Sequence, residues 1–170
     1  MKLNSEQLLS FISQQGLETE SQRKALAAVF REMLNFFNCD RVYCVYPCDP
    51  ETEYWGVPIE CARYEWPGVN HVELDMPTVE SDRVNFQDHL NANGPVTFGK
   101  DADYPVPDYL TKVFGIKSQI SCAIYPEQGK PWVLGIHYCE KHHHFTDDEI
   151  KFFDSLGKQI SSAFDTLIFD

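Results

Sequence analysis

Apolar residues recur at helical spacing near both ends of the chain and alternate with polar ones between. Leu8, Leu9 and Ile12 mark a short first helix over residues 5–15, with Gly16 at the C-cap position. Thr19 followed by Gln22 forms a capping-box pattern, after which Leu26, Val29, Phe30, Met33 and Phe37 line one face of a longer helix ending near Asn38. From Arg41 the period changes to two: Val42, Cys44 and Tyr46 alternate with Tyr43 and Val45, a strand stopped by Pro47 and Pro50. A second strand runs from Tyr54 to about Tyr64, placing Trp55, Val57, Ile59, Cys61 and Arg63 on one face. Its Pro58 removes a ladder donor and implies an edge position or a bulge.

Residues 71–76 read as a short extended piece. Helical spacing returns through Val79, Val84, Phe86 and Leu90 and stops at Asn93-Gly94-Pro95. Val96 to Phe98 is a brief strand, and Pro107 opens a short helix through Tyr109, Leu110 and Val113 that Gly115 ends. The clearest hairpin joins residues 117–125 and 132–139 through the turn-rich 126–131 segment. Thr146 with Glu149 is a second capping box, and Ile150, Phe153, Ile160, Phe164 and Leu167 follow on one helix face. This order predicts an α+β fold with terminal helices on one face of an antiparallel sheet. The middle segment then roofs the opposite face and encloses a cavity.

The length of 170 residues suits one domain, with residues 1–18 as a helical extension and 19–170 as its core. Fourteen basic and 26 acidic residues give a net charge of -12, which disfavours nucleic acid and anionic lipid as partners. Between Asp49 and Asp108 stand 13 acidic and three basic residues, a balance of -10, so the roof carries most of the excess acid. No apolar run approaches the ~20 residues needed to cross a bilayer. The N-terminus lacks a secretion-signal layout, and six cysteines without such a signal read as reduced thiols. A cytoplasmic setting is expected.

An ordered set of short words then points to a family. Cys39-Asp40-Arg41, Tyr46-Pro47-Cys48-Asp49-Pro50, Trp55-Gly56-Val57-Pro58 and Tyr64-Glu65-Trp66-Pro67-Gly68 come first. Gly94-Pro95-Val96, Phe114-Gly115-Ile116, Gly135-Ile136-His137-Tyr138-Cys139 and Phe145-Thr146-Asp147-Asp148-Glu149 follow. Together they resemble a GAF domain, of the kind preceding PAS and histidine-kinase modules in bacterial sensor kinases. The resemblance implies a sheet of five or six strands, a regulatory role without catalysis, and a homodimer through terminal helices that continue into downstream domains. No Gly-rich phosphate cradle is present, so kinase chemistry would belong to other parts of a longer protein.

Candidate ligand contacts are strand residues on the cavity side: Tyr43, Trp55, Arg63, Gln119, Ser121, His137 and Cys139. His137 reads either as a ligand contact or as a satisfied structural histidine. Arg63 implies an anionic ligand if it faces the cavity, and otherwise neutralises Glu60 or Glu65. Cys139 with His142, His143 and His144 has zinc-ligand chemistry, but it lies in one short loop without a second ligand pair, so no metal is expected. Bilin-binding relatives carry a cysteine shortly before a Tyr-Leu pair. Here residues 104–108 before Tyr109-Leu110 hold none, which argues against a covalent bilin and leaves the cofactor open. The word typical of cyclic-nucleotide-binding relatives is also missing. Two alternatives remain: a thiol-based free-methionine sulfoxide reductase, which this fold also supports, and a dimerisation module whose cavity is filled.

Overall fold

The structure, a computed structural model, describes residues 3–14, 22–69 and 76–165. Helices α1 (Ser5–Gln14) and α2 (Gln22–Phe37) lead into strands β1 (Arg41–Tyr46), β2 (Tyr54–Ala62) and β3 (Met76–Pro77). Helix α3 (Glu80–Asn91), strand β4 (Val96–Phe98) and helix α4 (Asp108–Phe114) precede the hairpin β5 (Ser118–Ile124) and β6 (Trp132–Tyr138). Helix α5 (Asp147–Ile160) passes into a 3₁₀ turn, Ser161–Phe164. Thr19, Gly16, Leu167 and residues 71–75, to which the sequence assigned caps, helix and an extended piece, lie outside the described residues. None of the helices is long and apolar enough to cross a membrane, among the described residues.

The strands form one six-stranded sheet in the order β3-β2-β1-β6-β5-β4, antiparallel throughout. The expected α+β architecture is therefore observed. One face buries Val42, Cys44, Ile120, Cys122, Leu134 and Ile136 against Leu26, Phe30 and Met33 of α2, Phe153 and Leu156 of α5, and Leu8 and Ile12 of α1. Trp132 is almost fully buried there, its ring 4.4 Å from Tyr46 and 4.8 Å from Phe164. Phe36 and Phe37 of α2 meet Phe152 of α5, at ring distances of 5.0 and 6.0 Å. The other face carries a smaller cluster, Tyr43, Val45, Val57, Val133 and Phe86, beneath α3.

The bulge anticipated at Pro58 redirects β2. Cys44 pairs with Ile59 but Tyr46 pairs with Gly56, so the register slips by one residue between them. Because side chains alternate with a period of two, the slip changes the face. Trp55 and Val57 pack on the cavity side, whereas Ile59 and Cys61 join the helical layer. The expectation that all five alternate residues from Trp55 to Arg63 share one face is corrected accordingly.

Helix α5 begins as its pattern predicts: Thr146 Oγ1 accepts the Glu149 N–H at 3.2 Å, and the Glu149 carboxylate accepts the Thr146 N–H at 2.8 Å. The same carboxylate accepts from His143 Nε2 at 3.0 Å, and the His143 ring stacks on Tyr138 at 4.1 Å. Replacing Thr146 by Ala is expected to cost about 1 kcal/mol, read as a lower urea midpoint with an unchanged slope. An unchanged midpoint would show that the cap is not needed.

Candidate functional site

Between the sheet and its roof lies a cavity of about 90 Å³. Its floor is the face of β1, β6 and β5 carrying Arg41, Tyr43, Val45, His137 and Gln119, and β2 adds Trp55, Val57 and Glu60. The roof is α3, through Asp82, Asn85 and Phe86, and α4 with its following turn, through Tyr109, Leu110, Phe114 and Ile116. Gly135 opens the floor: a Cβ there would fall on the Tyr43 phenol, so the absence of a side chain lets Tyr43 lie flat across β6 beside His137, their rings 4.3 Å apart.

The floor and roof are joined by one buried cation. Arg41 is 2% exposed. Its Nε–H donates to the Trp66 carbonyl at 2.9 Å, one Nη2–H donates to the Phe114 carbonyl, and Nη1–H donates to His137 Nδ1 at 3.2 Å. Phe114 is the last residue of α4, where exposed carbonyls concentrate negative charge and favour a cation. Gly115 follows in the left-handed region with φ 67°, and the Trp66 ring packs so near that a Cβ would stand 3.0 Å from it. Arg41 thus fastens both the β2–β3 connection and the end of α4 to the sheet.

A polarised chain of hydrogen bonds begins at this cation. Arginine only donates, so His137 Nδ1 accepts and its Nε2–H donates to Gln119 Oε1 at 3.1 Å. Gln119 Nε2 donates to Ser121 Oγ at 3.0 Å, whose hydroxyl donates to His89 Nε2 at 2.7 Å. His89 Nδ1–H then donates to the Asn85 carbonyl at 2.7 Å, which only accepts. Accepting from Arg41 makes His137 neutral, and burial keeps His89 neutral as well, with the opposite tautomer. Burial lowers the pKa of each below the ordinary value, and Arg41 pushes His137 down further. His89 also borders a second cavity, about 290 Å³, between the end of α3, β5 and α5.

The opposite end of the site is acidic. Asp82 accepts the Val79 N–H and the Trp55 indole N–H, both at 3.0 Å, and the Tyr109 hydroxyl at 3.4 Å. One carboxylate therefore starts α3 and ties that helix to β2 and α4. Burial and the Asp82 charge push the Tyr109 phenol up to about 12.

Of the residues singled out from sequence, Tyr43, Trp55, Gln119 and His137 line the cavity, and Ser121 sits one hydrogen bond behind Gln119. Arg63 does not face it. The β2 bulge sends Arg63 outward, where Nε donates to the Cys39 carbonyl at 2.8 Å and stands 3.9 Å from Asp40. Its acid is thus Asp40, not Glu60 or Glu65. Cys139 lies just past the end of β6: its N–H donates to Asp40 Oδ2 at 2.7 Å and its thiol meets the Phe114 carbonyl at 3.8 Å, outside the cavity lining. Arg41, Asp82, Asn85 and His89 were missed. For Arg41 a signal existed, since it shares parity with Tyr43 and Val45 on β1.

No cysteine is among the described residues lining the cavity, and residues 70–75 contain none. The six thiols are free. Burial pushes Cys48 and Cys122 up to about 12 and Cys139 up to about 11, away from the thiolate form that nucleophilic or redox chemistry needs. No cluster of three His, Cys, Asp or Glu side chains suited to a metal occurs among the described residues.

The two neutral histidines set a pH dependence. As pH falls, the unfolded chain takes up protons near the ordinary histidine value of ~6.5 before the folded protein does. Stability is then complete above that value and declines below it, each histidine contributing up to about 1.4 kcal/mol per pH unit. Asp49, held below the usual carboxylate range by its hydrogen bond from Lys130 at 2.6 Å, adds its loss only in the more acidic carboxylate window. Urea unfolding between about pH 7 and about pH 5 should show the decline. His89→Gln should reduce the slope, and an unaltered slope would exclude His89 as a source.

Comparison with known proteins agrees with this fold. A family profile described as GAF domain matches residues 22–164. No curated protein matches the chain. Among solved structures, the phycoerythrobilin-bound GAF domain from a cyanobacterial phytochrome superposes with a TM-score of 0.72 at 16% identity, covering 97% of this chain and 96% of that one. A far-red-absorbing dark state with bound biliverdin gives 0.71 at 14% identity, over 94% and 98%. GAF3 from Slr1393 of Synechocystis sp. PCC6803, in its photoproduct state, gives 0.67 at 15%, over 85% and 94%. The match over residues 22–164, on the fold just described, makes this chain a member of the GAF domain family.

Proposed function

We propose that the chain is a non-catalytic sensory domain that binds a small molecule between its sheet and the α3–α4 roof, and serves as the signal-input module of a two-component histidine kinase. The observation carrying this reading is the cavity itself, polar at both ends, aromatic between them and without a thiol. Two of the similar solved structures hold bilins, phycoerythrobilin in one and biliverdin in the other. Here the cavity of about 90 Å³ is well below the ~300–1,000 Å³ of sites for drug-sized ligands, and no cysteine lines it. The ligand is therefore smaller and non-covalent. A sulfoxide reductase would need an activated thiol in the same place, and the raised thiols outside the cavity do not supply one.

Output would pass through α1, α2 and α5 on the opposite sheet face, joined by contacts such as Gln159 Nε2 donating to the Leu9 carbonyl at 2.9 Å. These helices would form a cytoplasmic homodimer and lead into downstream PAS or kinase domains. A ligand can drive such a change only if it binds two helix arrangements with different affinity.

Native mass spectrometry of the purified chain tests this reading. A non-covalent small-molecule adduct on a dimer is expected, lost in Val45→Phe, which fills the floor, while far-ultraviolet circular dichroism confirms that the variant folds. A ligand-free dimer whose stability no small molecule alters would instead identify a dimerisation module.

A further inference from the structure

Strand β5 is paired on both sides only as far as β4 reaches. Its partner β6 accompanies it to Ile124, whereas β4 meets it at Gln119, Ile120 and Ser121. The residue before β4 is Pro95, which has no N–H to extend the ladder. Thr97 turns both main-chain groups away from β5, its N–H to Asp103 Oδ2 at 3.0 Å and its carbonyl to the Tyr104 N–H at 3.1 Å. Val96 and Phe98 are therefore the residues bonded to Ser121 and Gln119. Main-chain groups in an antiparallel strand change sides at every residue, so Ala123 and Tyr125 point the same way as Ser121. The Ala123 N–H, the Ala123 carbonyl and the Tyr125 N–H bond to no other described residue. Ala123 is half-buried in a strand whose other residues are buried.

The second cavity, about 290 Å³, wraps this open edge. His89 and Ala92 bound it on the roof side, and Gly157 and Lys158 of α5 on the helical side. Gly94 closes it at the β4 end, where a Cβ would stand 3.8 Å from Asp154 Oδ1. The α3–β4 connection thus reaches α5 and leaves room for a compact molecule, not for a further strand. The lining is electrically balanced: Lys158 pairs with Asp154 at 2.5 Å, and His89 is neutral. An apolar cavity of about 150 Å³ accepts benzene, so about 290 Å³ holds a two-ring molecule. Concave, largely apolar spaces with a few fixed main-chain donors and acceptors are the usual form of a small-molecule site.

We infer that this cavity is a second binding site, for a neutral planar ring that presents a donor between two acceptors, as a cyclic imide does. The ligand's acceptors meet the Ala123 and Tyr125 N–H groups and its donor meets the Ala123 carbonyl. The site is separate from the cavity beneath the α3–α4 roof and does not depend on a ligand binding there. Because His89 lines it, it lies at the end of the hydrogen-bond chain opposite Arg41.

The test titrates the wild-type chain with quinazolinedione, a two-ring imide, and with its derivative methylated at the imide nitrogen, which lacks the donor. Main-chain amide signals are followed by nuclear magnetic resonance. The imide should bind at least about tenfold tighter, since the methylated compound leaves the Ala123 carbonyl unpaired, with the largest shifts at the Ala123 and Tyr125 amides. Ala123→Pro removes an N–H that no described residue accepts, at a sheet edge where proline is tolerated, and should weaken the imide by a similar factor. If that variant does not fold, Ala92→Leu, which fills the cavity from the end of α3, should abolish binding.

Equal affinity for the two compounds would overturn the assignment of the edge as the recognition element. Shifts confined to residues lining the α3–α4 cavity, or Ala123 and Tyr125 amides that neither compound moves, would overturn the second site itself.

Discussion

A charged group buried with few partners constrains everything that touches it, and in this protein that group is Arg41. Two of its three partners are carbonyls on separate segments, Trp66 in the β2–β3 connection and Phe114 at the end of α4, and the third is an imidazole on the central strand β6. Removing a guanidinium from water is tolerable only while such dipoles remain in place. The segments that supply them are therefore held to the sheet, although they contribute little to the main apolar core. The cavity follows from this arrangement, because the roof is fastened at its edge through polar contacts and does not collapse onto the floor.

The same cation sets the direction of the chain His137–Gln119–Ser121–His89. The arginine, which only donates, sets the roles of His137 and Gln119, and the Asn85 carbonyl, which only accepts, sets that of His89 in its neutral form. The chain runs beneath the cavity from β6 across β5 to α3, which gives a sheet otherwise packed on apolar contacts a continuous polar seam. The surroundings of Arg41 and the position of α3 are thereby linked through a continuous chain of hydrogen bonds, the link that the proposed ligand-sensing role would use.

Much of the fold was legible because it obeys simple periods. The β5–β6 hairpin alternates cleanly, so the division into Leu134 and Ile136 on the helical face and His137 on the cavity face was readable from the residues alone. The terminal helices showed their apolar stripes for the same reason. The site was less legible where two rules meet. The β2 bulge reverses parity within one strand, which moved Arg63 to the outside and left Glu60 within the cavity. Helix α3 was read from Val79, Val84, Phe86 and Leu90, yet Val79 and Val84 are exposed, and its inner face is Asp82, Phe86 and His89. A helix that covers a polar cavity buries polar residues, so a search for apolar spacing finds the wrong face. Cys139 failed differently, since the strand ends one residue earlier and its alternation does not extend to it.

Hydrogen–deuterium exchange of Arg41→Lys against the wild-type chain tests most directly whether one cation fastens the roof. Faster exchange confined to residues 63–69 and 108–116, with β1, β6 and the helical layer unchanged, is the expected result. Unaltered exchange in those two segments, in a variant that folds, would contradict it.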